Sequence, residues 1–252
     1  MTFSPDSPTV ARVVPSPNHD ARKHAIDMLV LHYTAQTSED ALARLCDAGH
    51  AAKVSSHYLV HEDGRIDQLV PEARRGWHAG VSSWEGVADI NSRSVGIEIV
   101  NAGHEFGYPD FPAAQIDAVV ALCRDIVARH SIRADRVVAH SDIAPARKQE
   151  PGEKFPWDQL AAAGVGLWVE PADDQAGGAL ARGASGANVE SLQRALARYG
   201  YGIEPTGEYD EATELTIIAF QRHFRSARVD GIADASTLET LQRLLTASSA
   251  LA

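Results

Sequence analysis

One irregular segment, residues 140–157, constrains the fold of this chain more than any other stretch. It reads HSDIAPARKQEPGEKFPW and follows the apolar run Arg136–His140, which predicts a short buried strand ending in a histidine. Pro145 and Pro151 each remove a backbone donor and fix φ, so we expect an irregular loop rather than a helix. A rigid loop at a strand end that carries histidine, lysine and glutamate is a typical setting for a metal site.

The remainder of the first 170 residues alternates strand-like and helix-like patterns, which predicts an α/β domain with a mixed sheet flanked by helices. The Asp63-Gly64 turn between two apolar runs predicts a β-hairpin. Thr37 or Ser38 can cap a first helix, and Pro112 can open a second one. The predicted strands are Ile26–His32, Ser55–His61, Arg65–Val70 and Ser94–Val100.

Residues 1–24 are rich in proline and serine and predict an arm laid over the domain, outside its core. They show no secretory signal pattern, so a cytoplasmic location is expected, with the periplasm or cell envelope as the alternative. No apolar run is long enough to predict a transmembrane segment. The formal net charge of −11 argues against nucleic acid as a partner, because phosphate binding needs a basic surface. Cys46 and Cys123 lie in helix-like apolar patterns and are predicted to be buried free thiols rather than a disulfide.

The composition becomes small and polar at residues 171–179, which predicts a linker between a domain at 25–170 and a second one at 180–252. Few contacts are expected to cross this linker. In the second domain a G-x-x-D-x-x-T pattern begins at Gly207 and again at Gly231, each time before an apolar helix pattern. With an earlier amphipathic helix, these patterns predict a small three-helix bundle that binds rather than catalyses.

Two histidines are candidate metal ligands. His32 and His140 each stand at the end of a predicted strand, so neighbouring strands of one sheet could bring them together. With Glu150 they would supply two imidazoles and one carboxylate, the ligand count of a catalytic zinc site that keeps a position for water. The alternative is two histidines at the edge of the core and a surface glutamate, and spacing alone does not decide between these interpretations.

Four other side chains each allow two interpretations. Glu98 lies in an apolar strand and either faces solvent or is held in a pocket as a general base. Lys148 is either a solvated loop cation or a group that stabilises an oxyanion. Trp77 and His78, between two glycines, are either packed in the core or form a wall of the cleft.

Five motifs are distributed along the first domain: Leu31-His-Tyr-Thr34, Ser56-His-Tyr58, Trp77-His-Ala-Gly80, Ser94-Val-Gly-Ile-Glu98 and His140-Ser-Asp-Ile-Ala-Pro-Ala-Arg-Lys148-Gln-Glu-Pro-Gly152. Together they resemble the zinc-dependent N-acetylmuramoyl-L-alanine amidases of the type-2 amidase family, which is related to T7 lysozyme and the peptidoglycan recognition proteins. The resemblance covers residues 25 to 168. Residues 180 to 246 are similar to a three-helix peptidoglycan-binding domain, and the two-domain layout is most similar to the AmiD and AmpD-homologue members.

The resemblance implies roles for individual residues. It implies that His32, His140 and Glu150 hold zinc, that Glu98 is the catalytic glutamate, and that Lys148 lies beside the metal. The family usually has aspartate at the position of Glu150, and the side chain here is one methylene longer. Glutamate remains a competent zinc ligand. The resemblance also implies that five side chains bind substrate: Tyr33, His57, Trp77, His78 and Asn91.

The implied activity is hydrolysis of an amide bond by a zinc-activated water. The bond joins N-acetylmuramic acid, or its 1,6-anhydro form, to the L-alanine of the stem peptide. The implied partners are peptidoglycan or muropeptides, and a monomer is expected. The alternative is a peptidoglycan-binding sensor without catalysis, because some relatives of the family lost the zinc. Such a loss would show as a missing ligand, and all three positions here carry side chains that can bind a metal.

Overall fold

The computed structural model describes residues 3–173 and 177–251, so residues 174–176 of the predicted linker lie outside the described residues. The strands are β1 (Arg12–Val13), β2 (His19–Ala21), β3 (Met28–Tyr33), β4 (Tyr58–Val60), β5 (Ile66–Gln68), β6 (Arg74–Gly76), β7 (Ser94–Ile99) and β8 (Val137–Ala139). The α-helices are α1 (Ser38–Cys46), α2 (Ile90–Arg93), α3 (Ala113–His130), α4 (His140–Ile143), α5 (Trp157–Ala162), α6 (Ala187–Tyr199), α7 (Glu211–Phe224) and α8 (Ala235–Ser249).

A six-stranded mixed sheet in the order β1-β5-β4-β7-β3-β8 forms the centre of the first domain and confirms the α/β prediction. β4 and β5 pair antiparallel as the predicted hairpin, whereas β4, β7, β3 and β8 run parallel to one another. Parallel strands place their carboxyl ends at the same edge of a sheet. His32 therefore lies opposite Glu98 in the register, and His140 follows the end of the next strand.

The two faces of the sheet pack against different layers. Leu29 and Leu31 of β3 belong to a hydrophobic cluster shared with α3, which covers one face. Side chains alternate along a strand, so Met28 and Val30 point to the other face. Their cluster continues through Trp84 into the C-terminal helices. The sheet is thus buried on both sides, which agrees with the near-continuous apolar sequence of its parallel strands.

The internal repeat forms the starts of two helices in the predicted three-helix bundle. The side chains of Asp210 and Asp234 accept hydrogen bonds from the backbone N–H groups of Thr213 and Thr237, which caps α7 and α8. The side-chain oxygen of Gln221 accepts from the N–H groups of Asp230 and Gly231 at 2.9 Å, and this holds the turn before α8. The repeat is therefore a repeated turn-and-cap unit.

The C-terminal bundle packs directly against the first domain. Trp84 is fully buried, and its ring meets those of Tyr199 and Tyr201 with centroids 5.6 and 5.2 Å apart. Buried Asp142 accepts hydrogen bonds from the Tyr201 hydroxyl at 2.8 Å and from Nδ1 of His223 at 2.7 Å. The expectation that few contacts cross the linker is wrong. Linker composition describes the covalent connection, whereas these complementary surfaces come from residues far apart in the sequence.

Two further local predictions are corrected. The segment 1–24 contributes β1, which pairs parallel with β5 at the sheet edge, and β2, which pairs antiparallel with β6. The segment 140–157 begins with the helical turn α4 instead of an irregular loop. α4 ends before Pro145, so the prolines restrict only the residues that follow it. Cys46 and Cys123 are free thiols, and Cys123 is buried as predicted, whereas Cys46 is only half-buried. Within the described ranges, no helix is both long and apolar enough to cross a membrane.

Candidate active site

The carboxyl ends of β3 and β8 bring the three predicted metal ligands together. Nδ1 of His32 lies 2.8 Å from Nδ1 of His140, which lies 2.9 Å from Oε1 of Glu150. One ligand atom from each of the three residues lies within 4.8 Å of the other two. All three residues are buried, which contradicts the alternative interpretation of Glu150 as a surface glutamate.

A chain of hydrogen bonds fixes which nitrogen of His32 faces the cluster. The Ser94 hydroxyl donates to the Ile90 carbonyl at 2.6 Å, so Ser94 Oγ accepts from Nε2 of His78 at 3.3 Å. Burial lowers the pKa values of His78 and His32, so both rings are neutral. Nδ1 of neutral His78 therefore accepts from Nε2 of His32 at 3.1 Å. Nδ1 of His32 is left with a free lone pair.

The second histidine is oriented in a similar way, and the resulting donor set fits a cation. Nε2 of His140 donates to the Ala79 carbonyl at 3.0 Å, so its Nδ1 can also offer a lone pair. Two imidazole nitrogens and a carboxylate oxygen then meet as acceptors. A single proton can be shared by only two of these atoms, whereas a metal cation satisfies all three. The residues present therefore fit a divalent metal ion with nitrogen and oxygen ligands.

Asn91 supports both histidines indirectly. Its side-chain oxygen accepts from the backbone N–H groups of His78 at 2.9 Å and Ala79 at 2.8 Å. These two residues supply the ring nitrogen and the carbonyl that orient His32 and His140. Gly96 lets His78 pack against β7, since a Cβ atom there would lie 2.4 Å from the His78 ring. Such outer contacts control ligand orientation and metal affinity.

Glu98 is an acidic residue on the strand next to that of His32. It lies opposite His32 on β7, on the same face of the sheet, and lines the cleft described below. Its Oε2 is buried and has no hydrogen-bond partner among the described residues. Burial, together with the negative charge of Glu150, raises the pKa of Glu98 to about 8, and Lys148 acts in the opposite direction. An unpaired buried carboxylate is costly for folding and is typical of a functional site.

Lys148 and Glu150 form an ion pair at the edge of the cluster. Nζ of Lys148 lies 3.1 Å from Oε1 of Glu150, and a third of the lysine side chain is exposed. Burial raises the pKa of Glu150, but its contact with Nδ1 of His140 and the positive charge of Lys148 outweigh burial and bring this pKa to about 2. Glu150 is therefore ionised at neutral pH, as a metal ligand must be.

A cleft of about 560 Å³ opens over these residues. Three of the five side chains predicted to bind substrate line it, namely Tyr33, Trp77 and His78. The other two side chains of that prediction, His57 and Asn91, are buried and do not line the cleft. Nδ1 of His57 accepts from the Gly96 N–H at 2.9 Å, and burial lowers the pKa of His57 to about 3. His57 belongs to one of the five motifs and Asn91 to none, and the sequence did not indicate that either side chain contacts the backbone of other residues at the site.

Two groups of residues at the site were missed by the sequence prediction. Arg147 donates to the carbonyl oxygens of Ala79 at 3.0 Å and Val81 at 2.6 Å, so it braces the segment that orients His140. Its position next to Lys148 in the motif was the available signal. The other group comes from α7 of the C-terminal bundle and forms part of the cleft wall. Its members are Leu215, Ile218 and Arg222.

The fold and site agree with the comparisons to known proteins. Residues 22–153 match the N-acetylmuramoyl-L-alanine amidase family, and residues 185–241 match a peptidoglycan binding domain family. The chain belongs to the N-acetylmuramoyl-L-alanine amidase family, whose members depend on a metal, and carries a C-terminal peptidoglycan-binding domain. The sequence prediction of the family is thereby confirmed.

Several relatives share both domains. The N-acetylmuramoyl-L-alanine amidase AmiD of Escherichia coli K12 is 43% identical over 234 residues, which span 87% of this chain and 82% of AmiD. AmiD solved with anhydro-N-acetylmuramic acid-L-Ala-D-γ-Glu-L-Lys superimposes with a TM-score of 0.75 at 39% identity, over 90% of this chain and 92% of that one. The crystal structure of AmpDh3 from Pseudomonas aeruginosa superimposes with a TM-score of 0.74 at 29% identity, over 98% of this chain and 100% of the AmpDh3 chain.

Proposed function

We propose that this amidase hydrolyses the bond between N-acetylmuramic acid and L-alanine with a zinc ion held by His32, His140 and Glu150. The observation that carries the proposal is the meeting of three acceptor atoms from these residues at the sheet edge where unpaired Glu98 lines the cleft. Two imidazoles and one carboxylate are the ligands of many catalytic zinc sites. Zinc bound there would lower the pKa of a water molecule toward about 7 and make it a nucleophile at neutral pH.

The chain's own residues supply the remaining steps. Glu98 accepts the proton of the attacking water and returns it to the departing nitrogen of L-alanine. The Lys148 ammonium group stabilises the negative charge that develops on the carbonyl oxygen of the lactyl group. His78 and the Ala79 carbonyl keep the two ligand rings in place during this cycle. The products are a muramyl saccharide and a free stem peptide.

The solved relatives indicate the class of substrate. Anhydro-N-acetylmuramic acid-L-Ala-D-γ-Glu-L-Lys is the substrate in the AmiD complex, and an anhydromuramic pentapeptide is bound in AmpDh3. By analogy, the cleft of this protein takes muropeptides of peptidoglycan. In this proposal residues 25–170 form the catalytic domain with the arm 1–24, residues 171–179 are the linker, and residues 180–252 bind the polymer. A monomer suffices, because one chain supplies all the groups named.

Zinc content and peptide release test the proposal together. The wild-type protein is expected to retain zinc and to release L-Ala-D-γ-Glu-L-Lys from the anhydromuramyl tripeptide, detected as a new free amine. His140→Ala is expected to lose both properties. His24→Ala is the matched control, because this histidine is exposed and lies outside the cleft. If the wild-type protein bound zinc and the tripeptide but released no peptide, it would instead be a peptidoglycan-binding sensor without catalysis.

A further inference from the structure

One helix of the C-terminal bundle forms part of the active-site cleft. Leu215, Ile218 and Arg222 of α7 line the same cleft as Glu98 and Lys148. Their spacing of three and then four residues places them on one face of the helix. The opposite part of α7 packs inside the bundle, where Phe220 is fully buried. α7 therefore presents two apolar side chains and one guanidinium group to whatever occupies the cleft.

Arg222 differs from the other basic side chains that line the cleft. Arg44 and Arg147 donate to backbone carbonyl groups, and Lys148 is paired with Glu150. These contacts orient the three side chains toward the protein's own groups. Nε of Arg222 is buried and has no hydrogen-bond partner within residues 3–173 and 177–251. Nη1 of Arg44 is likewise without a partner there, but of these four side chains only Arg222 contacts Gln149, the residue next to the predicted ligand Glu150.

The neighbours of Arg222 hold its side chain in position but engage only some of its N–H donors. Its Nη2 donates to Gln149 Oε1 at 3.4 Å, and its Nε lies 3.5 Å from Oε2 of Glu153. Oε2 of Glu153 also lies 3.1 Å from Nε2 of His104. Nδ1 of the same histidine is hydrogen-bonded to the Tyr33 hydroxyl at 2.8 Å. An arginine has five N–H donors in a planar fork, so donors remain for a second carboxylate. The chain from Tyr33 to Glu153 fixes the direction of that fork.

We propose that Arg222 binds the α-carboxylate of the γ-linked glutamate in the stem peptide, with Leu215 and Ile218 packed beside it. The inference rests on the proposed function. A γ linkage, as in the AmiD ligand, leaves the α-carboxylate of that glutamate free. It is the first carboxylate after the L-alanine whose amide bond is cleaved. A partly desolvated arginine in the cleft wall is chemically matched to it.

This assignment gives the C-terminal bundle a role in substrate specificity. Charge-assisted hydrogen bonds of this kind change affinity by about 10- to 100-fold. The contact forms away from the reacting carbonyl, so its loss is expected to raise KM and leave kcat nearly unchanged. A stem peptide in which the α-carboxylate is amidated cannot form the ion pair, so Arg222 should discriminate against it.

The test compares the anhydromuramyl tripeptide with its glutamate α-amide. Affinities for both are measured by calorimetry in the Glu98→Gln background, so the result does not depend on turnover. Arg222→Gln is expected to weaken binding of the acid by about 10- to 100-fold and to leave binding of the amide unchanged. Arg222→Lys is expected to recover only part of the loss, because it keeps the charge without the fork.

Arg194→Gln is the matched control, because Arg194 is an exposed arginine of α6 that pairs with Glu190 and lies outside the cleft. It should bind acid and amide as the Glu98→Gln background does. The proposal is overturned if Arg222→Gln binds both ligands equally more weakly, or if it binds the acid normally. Tight, Arg222-dependent acid binding by a protein that never releases peptide would refute the proposed function and leave this inference standing.

Discussion

Two buried glutamates in the first domain show opposite solutions to the same electrostatic problem. Glu72 accepts hydrogen bonds from the Tyr58 hydroxyl at 2.5 Å, from Arg129 at 2.5 and 2.8 Å and from His130 at 2.6 Å. Burial alone would raise the pKa of Glu72, but these partners hold it well below its ordinary value. Oε2 of Glu98 has no such partner in the part of the chain that the structure describes, and burial raises the pKa of Glu98 to about 8.

The difference separates a structural polar cluster from a functional one. The Glu72 carboxylate has a donor for each of its oxygens and is ionised. Its hydrogen bonds connect the segment after β5 to Tyr58 of β4 and to Arg129 and His130 of α3. Oε2 of Glu98 is left without a partner among the described residues, and Glu98 lines the same cleft as His140 and Glu150 and lies opposite His32 in the sheet. Binding a cation there would favour the ionised form of Glu98 through the added positive charge. Buried acceptor atoms without donors in the described ranges, at the edge of the sheet where the parallel strands end, therefore distinguish the candidate active site from the Glu72 cluster.

The largest expected effect is on turnover. Glu98→Gln should lower kcat by about 100- to 10,000-fold, because a general base is removed while the volume is kept. Peptide release from the anhydromuramyl tripeptide, with zinc content measured on the same sample, checks this. Glu72→Gln is the matched control and should retain its turnover. If the two variants were equally active, unsatisfied polarity would no longer distinguish the two sites.

The next effect concerns metal affinity. Asn91→Ala removes the acceptor that fixes the backbone of His78 and Ala79, so zinc affinity should fall about 10- to 100-fold. Competition with a chelator measures this change. Asn18→Ala is the control, because that buried asparagine bonds to the carbonyl groups of Asp47 and Val54 instead. Equal zinc affinity in both variants would contradict the supporting role of Asn91.

A smaller effect is expected on stability at the saturated cluster. Glu72→Gln should lower the free energy of unfolding by about 1–2 kcal/mol at neutral pH, measured in urea. The folded-state pKa of Glu72 is depressed, so this contribution is present above the ordinary value of 4.5 and is lost as pH falls toward the folded pKa. The difference between wild type and variant should therefore shrink below pH 4.5. A difference that grew on acidification would contradict the sign of the shift.

The smallest effect tests a third buried cluster, at the domain interface. Asp142 accepts from Tyr201, His223 and the Ala139 N–H, so it is saturated like Glu72 although it lies two residues from His140. Tyr201→Phe should cost about 1 kcal/mol of stability and leave kcat unchanged. Tyr209→Phe, which removes a buried hydrogen bond inside the bundle, serves as the comparison. If Tyr201→Phe lost turnover and Tyr209→Phe did not, a buried carboxylate with all its hydrogen bonds formed would also contribute to catalysis, contrary to this comparison.

Local sequence determined the elements and the chemistry of the ligands. The apolar runs around His32 and Glu98 form β3 and β7, and the Asp-x-x-Thr repeats cap α7 and α8 because capping depends on residues three apart. The five motifs together identified the family, and two of them contain the candidate metal ligands. These features depend on neighbours in sequence, so their patterns can be read before the chain is folded.

Only the tertiary structure decided what each side chain faces. His57 and Asn91 stand in or near motifs that resemble a binding site, yet they are buried behind it. Arg222 lies in a domain predicted to bind rather than catalyse, and packing around Trp84 and Asp142 brings it to the cleft. Burial, saturation of polar groups and the shape of a cleft arise from contacts between distant residues. Their energies are set by the complementarity of the folded surfaces, which local composition and periodicity do not encode.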